Sequence, residues 1–85
     1  MYKVYELTTI MAELEDQKDK KILKEFNTEA EAMDYVNECI KGKCKEPYYV
    51  RCIMRENCVM FDYGSWSHFY GIESEIKIDY SEIIQ

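Results

Sequence analysis

The chain has one histidine, His68, and two serines beside it, Ser65 and Ser67. All three lie in the run Phe61-Asp62-Tyr63-Gly64-Ser65-Trp66-Ser67-His68-Phe69-Tyr70-Gly71, which also carries the only tryptophan. An imidazole next to a hydroxyl is the starting material of nucleophilic catalysis, where the ring takes the proton of an attacking Ser or Cys. The spacing argues against that chemistry. Neighbours along a strand point to opposite faces, so His68 shares a face with Trp66 and Tyr70 and not with Ser67. Cys52 or Cys58 would reach it only across a sheet. No G-x-S-x-G or C-G-x-C-W signature accompanies it. The ordinary reading is a strand histidine, hydrogen-bonded or half exposed, and no catalytic residue is assigned.

Other chemistries fare no better. Cys39, Cys44, Cys52 and Cys58 are spaced C-x4-C, C-x7-C and C-x5-C. A structural zinc site usually includes a tight C-x2-C knuckle. The four thiols therefore read as small buried hydrophobes, with no metal and no cofactor. Gly42, Gly64 and Gly71 are too scattered to cradle a phosphate. No carboxylate pair stands out among seventeen acids. Stacking platforms for nucleic acid pair strand aromatics with Lys and Arg. Around Tyr48, Tyr49, Tyr63, Trp66, Phe69 and Tyr70 the strands offer only Arg51 and Arg55. The chain is accordingly expected to act without catalysis.

The elements that must position these residues can be read from pattern. Eighty-five residues make one domain, 1–85. Tyr2, Val4, Tyr5, Leu7 and Ile10 mark a first strand over 1–10. Met11–Lys21 is charged and reads as a solvated loop. It leads to a second strand at about Lys20–Phe26, with Ile22, Leu23 and Phe26 as its apolar contacts. Asn27-Thr28-Glu29-Ala30-Glu31 is a capping box. The helix it opens runs from about Glu29 to Lys41, with Gly42 placed to end it and Pro47 beyond. Ala32 or Met33, Val36, Cys39 and Ile40 form its core stripe. Tyr48–Glu56 alternates as a third strand, Glu56-Asn57 is a tight turn, and Cys58–Tyr63 is a fourth strand. Gly64-Ser65 makes a turn or bulge, and Trp66–Ile72 a fifth strand. Glu75–Tyr80 alternates as an edge strand or an extended tail. The fold class is α+β: a single helix on a mostly antiparallel sheet of five strands, six if the tail pairs, in the order β-β-α-β-β-β.

Charge narrows the partners. The net charge is -6, which disfavours nucleic acid and anionic membrane surfaces. No apolar run approaches a membrane span and no signal-peptide core is present. A cytoplasmic protein is expected. Glu31, Asp34 and Glu38 fall on one stripe of the helix. Such a stripe is usually a solvated face. Read functionally, it presents carboxylates to a basic groove on a protein partner. Eight tyrosines exceed what so small a core can bury with satisfied hydroxyls, so several are expected at the surface. Tyr48, Tyr49, Tyr63, Trp66 and Tyr70 are the candidate aromatic anchors.

The chain is short, acidic, and rich in Lys, Glu, Ile and Tyr. The segment Phe61-Asp62-Tyr63-Gly64-Ser65-Trp66-Ser67-His68-Phe69 carries a D-[FY]-G-S-W hairpin. In these respects it resembles small proteins encoded by phages and mobile elements of AT-rich Gram-positive bacteria, of the anti-defence and anti-CRISPR type. The resemblance implies a stoichiometric inhibitor that blocks a host nuclease complex by protein contact, and it implies no particular residue. Two rivals stay open. One is an oligomer that sequesters a small nucleotide with Arg51, Arg55 and strand aromatics. The other is a structural or regulatory phage module that forms a homodimer through an edge strand.

Overall fold

The computed structural model describes residues 1–17, 19–43 and 50–75. Five strands form one antiparallel sheet: β1 (Tyr2–Thr8), β2 (Lys21–Phe26), β3 (Arg51–Met54), β4 (Cys58–Asp62) and β5 (His68–Ser74). Their order across the sheet is β2-β1-β5-β4-β3. The α-helix among the described residues, α1 (Glu29–Lys43), lies between β2 and β3 in the chain. This is the expected α+β architecture.

Register sorts the side chains into rows that alternate between faces. Val4, Ile72 and Val59 stand side by side on β1, β5 and β4. The next row is Tyr5, Gly71, Met60 and Ile53, and the one after it Glu6, Tyr70, Phe61 and Cys52. The first and third rows face α1. There Val4, Val59, Phe61, Tyr70 and Ile72 pack with Ala32, Val36 and Ile40. The helix stripe is therefore Ala32–Val36–Ile40, with Met33 and Cys39 half-buried at its flanks.

The helix starts as its sequence directs. Thr28 Oγ1 accepts the Glu31 N–H at 3.2 Å, and the Thr28 hydroxyl donates to the Glu31 carboxylate at 3.0 Å. The carboxylate thus serves the hydroxyl rather than the Thr28 amide. Gly42 does not end the helix; α1 continues through it to Lys43. A glycine within the last turn lowers helix propensity but does not forbid the conformation. Lys41 and Lys43 in that turn suit the negative helix end.

The second face of the sheet is also apolar, and it needs a cover of its own. Tyr5, Leu7, Met60 and Phe69 are fully buried there. The cover is the segment read as a solvated loop: Met11–Asp16 is a 3-10 helix whose Leu14 joins this second core. It ends at Gln17, which is left-handed (φ 48°) and donates its N–H to Leu14 O at 3.1 Å. Lys20 then places its ammonium 4.6 Å from the Tyr5 ring centroid and 2.5 Å from Glu73. Arg55 pairs with Glu15 and pins the 3-10 helix from the other side.

Other boundaries differ from expectation, while the Glu56-Asn57 turn falls where it was expected. The third strand is Arg51–Met54; Tyr48 and Tyr49 lie outside the described residues, as do Cys44 and most of the alternating segment Glu75–Tyr80. The Glu56-Asn57 turn closes with Arg55 N–H donating to Cys58 O at 2.8 Å, without a left-handed Asn57. The fifth strand begins at His68, so Trp66 belongs to the preceding loop. Among the described residues no helix is long and apolar enough to cross a membrane.

Gly71 is required by the ring opposite. A Cβ built there would stand 2.2 Å from Tyr5 Cζ and 2.5 Å from its Cε2. No side chain fits without moving a fully buried tyrosine. Gly71→Ala is expected to cost about 1–3 kcal/mol, the range for overpacking a filled core. Tyr5→Leu in the same chain should recover part of that loss. Urea unfolding of the two single variants and the double variant measures the coupling; additive losses would contradict the close approach.

Candidate functional site

The β4–β5 connection, Tyr63 to Ser67, separates two depressions at one end of the sheet. Its path is set by two contacts. Asp62 Oδ1 accepts the Gly64 N–H at 3.0 Å, with Gly64 left-handed at φ 100°. Thr9 N–H donates to Ser67 O at 3.0 Å and ties the loop to the end of β1. Gly64 and Ser65 line both depressions.

The first depression opens on the face away from α1. It is a groove of about 400 Å³ lined by Met11, Arg51, Asp62, Trp66 and Phe69. Arg51 Nη2 lies 3.0 Å from Asp62 Oδ2, so the buried carboxylate spends one oxygen on Arg51 and the other on Gly64. Apart from Ser65, the remaining side chains on the wall, Met11, Trp66 and Phe69, are apolar. Trp66 stands over the groove at 92% exposure. Ile10 (52%) and Met11 (40%) are exposed at the head of the 3-10 helix.

The second depression opens on the helix side. It measures about 510 Å³ and is lined by Thr8, Lys43, Tyr63, Ser65, Ser67 and His68. Its inner wall is a hydrogen-bonded chain. His68 Nε2 lies 2.8 Å from Glu6 Oε2, and His68 Nδ1 lies 2.7 Å from Tyr63 Oη. With Glu6 ionised, its carboxylate only accepts, so Nε2 carries a proton. In the neutral ring Nδ1 is then the acceptor and the Tyr63 hydroxyl donates to it. Carboxylate, imidazole and hydroxyl thus follow the order of a nucleophile relay, with a phenol in place of the alcohol. Tyr63 is buried, however, at 6% exposure. Its ring is packed against His68 and Tyr70, with centroids 5.9 and 5.7 Å away. His68 in turn stands edge-on to Tyr70 at 4.8 Å. The evident consequence of the chain is mechanical: it joins β1, β5 and the start of the loop.

Burial and nearby negative charge act on the neighbouring groups. Burial first, then the Cys39, Tyr63 and Glu6 groups, push the Tyr70 phenol up to about 12. Burial also pushes the Cys39 and Cys52 thiols up. Cys39, Cys52 and Cys58 are half-buried.

The sequence-derived candidates separate. Trp66 is exposed as an anchor must be. Tyr63 and Tyr70 are not at the surface; both join the core that packs against α1, and the Tyr63 hydroxyl meets its need on His68. Glu31, Asp34 and Glu38 are exposed on the outer side of α1. The Trp66 groove faces the other way, so the sheet stands between stripe and groove and they do not form one patch. Arg51 and Arg55 pair with Asp62 and Glu15. Sequence reasoning missed Glu6, which lies 62 residues from His68. Its one signal was alternation: Glu6 follows Tyr2 and Val4 on the inward face of β1.

Comparison of the chain with protein-family models, curated proteins and solved structures finds no match.

The Tyr70 shift carries a sign. A phenol raised from 10 to about 12 holds its proton more tightly when folded. Its contribution is fully present below the unfolded value and is lost as pH climbs through the folded one. Stability should therefore fall between pH 10 and 12, by on the order of 2 kcal/mol for this group. Urea unfolding across that range should show a shallower decline in Tyr70→Phe than in the parent. Equal slopes would contradict the assignment.

Proposed function

We propose that this chain is a non-enzymatic binding protein that engages a protein partner through the Trp66 loop. The observation that carries the reading is Trp66 itself, 92% exposed above an apolar groove of about 400 Å³. Scattered exposed aliphatics are ordinary on any surface. A lone indole beside exposed Met11 and Ile10, on a loop tied down at both ends, is a different matter. Trp is the residue type most enriched among interface anchors, and a pre-organised loop lowers the entropy cost of docking.

The finer form of the reading is an inhibitor of a host defence nucleoprotein, such as a CRISPR-type nuclease complex. It is supported by the resemblance of the Phe61–Phe69 segment and by the net charge of -6. In this form Trp66 supplies the anchor. The separate stripe Glu31–Asp34–Glu38 steers the chain toward a basic groove by long-range attraction. In the nucleotide-sequestering alternative the phosphate ligands Arg51 and Arg55 would exchange Asp62 and Glu15, with which they pair, for the nucleotide.

Affinity capture from a bacterial host with intact defence systems identifies the partner, and titration of the purified pair tests the site. Trp66→Ala should weaken binding by about 2 kcal/mol or more while leaving the melting temperature unchanged. Changing Glu31, Asp34 and Glu38 together to Lys should slow association and flatten its salt dependence. Unchanged affinity in Trp66→Ala would overturn the anchor, and unchanged kinetics in the triple variant would overturn the steering role.

A further inference from the structure

The helix-side depression has a different character from the Trp66 groove. We propose that it is a binding site for a small organic monoanion, a carboxylate or a phosphodiester. This goes beyond the partner-binding reading and does not depend on it.

About 510 Å³ lies within the range of small-molecule sites, roughly 300–1,000 Å³. The lining chemistry then selects the ligand. Among the described residues Lys43 is the one cation on the wall, and Thr8, Ser65 and Ser67 add three hydroxyls. Among the described residues no carboxylate lines the space. Glu6 stands behind the imidazole, bonded to its far nitrogen. A single lysine matches a single negative charge, and hydroxyls can donate to the remaining oxygens of an oxyanion.

Rigidity supports the same inference. Thr8 and His68 are directly paired across β1 and β5. Tyr63 and His68 are fixed by the Glu6 chain, and Ser67 is held through its carbonyl by Thr9. The wall is therefore pre-formed and need not be ordered on binding. Lys43 comes from the last turn of α1 and is the long, exposed side chain among the described lining residues, so it can adjust to the ligand.

His68, as the only histidine, gives one resolvable set of ring signals in an NMR spectrum. The test titrates the full chain with acetate and with dimethyl phosphate at millimolar concentrations. Glycerol serves as the neutral control. At least one anion should shift the His68 ring and the Ser67 amide saturably, with no saturable shift from glycerol. If one responds and the other does not, that selects carboxylate or phosphodiester. Lys43→Gln should weaken the response about tenfold, as expected for loss of one charge-assisted contact. The proposal is overturned if neither anion gives a saturable shift, if glycerol matches the anions, or if Lys43→Gln binds like the parent.

Discussion

The centre of this sheet is buried on both faces, and that constraint organises the molecule. β1 and β5 carry Val4, Tyr70 and Ile72 on one side and Tyr5, Leu7 and Phe69 on the other, all at or near zero exposure. An antiparallel sheet can leave one face to water, but this one cannot. With a single α-helix among the described residues, the other face needs a second cover. The chain uses six residues, Met11–Asp16, with Leu14 as the plug and the Arg55–Glu15 and Lys20–Glu73 pairs as ties. The Tyr5 ring fits beneath because Gly71 opposite has no side chain.

Building two covers on a small sheet leaves the β4–β5 end as the place where both stop. α1 ends at Lys43 on one side, and the 3-10 helix begins at Met11 on the other. The loop between Tyr63 and Ser67 projects past both. Each cover thus contributes one wall to a depression, Lys43 to the polar one and Met11 to the apolar one. Glu6, His68 and Tyr63 hold the base of the loop, so Trp66 extends from a fixed platform. The same few residues that complete the core also shape the surface that binding would use.

Much of this was legible because it was local. The Thr28–Glu31 cap, the hairpin at Glu56-Asn57 and the strand alternation depend on neighbours a few residues apart, and they appear where the pattern put them. The 3-10 helix was hidden because one leucine among acids makes no periodic stripe. Trp66 was drawn into a strand because alternation ran through it without a break; the left-handed Gly64 and its bond to Asp62 take the chain out of the sheet there. Tyr63 and Tyr70 looked like surplus surface tyrosines because their neighbours in space, His68, Glu6 and Cys39, are remote or separately placed in sequence. Glu6 and His68 could be joined only by a register, and register follows from the whole sheet.

The central claim is that Trp66 is solvent-exposed in the free chain and covered by a partner. Because the chain has one tryptophan, 5-fluorotryptophan places a single fluorine at that position. In the free protein its ¹⁹F resonance should show the full H₂O-to-D₂O isotope shift of an exposed indole. On addition of the purified partner that solvent shift should collapse. A free-state resonance already insensitive to solvent, or one that keeps its full sensitivity in the complex, would contradict the account.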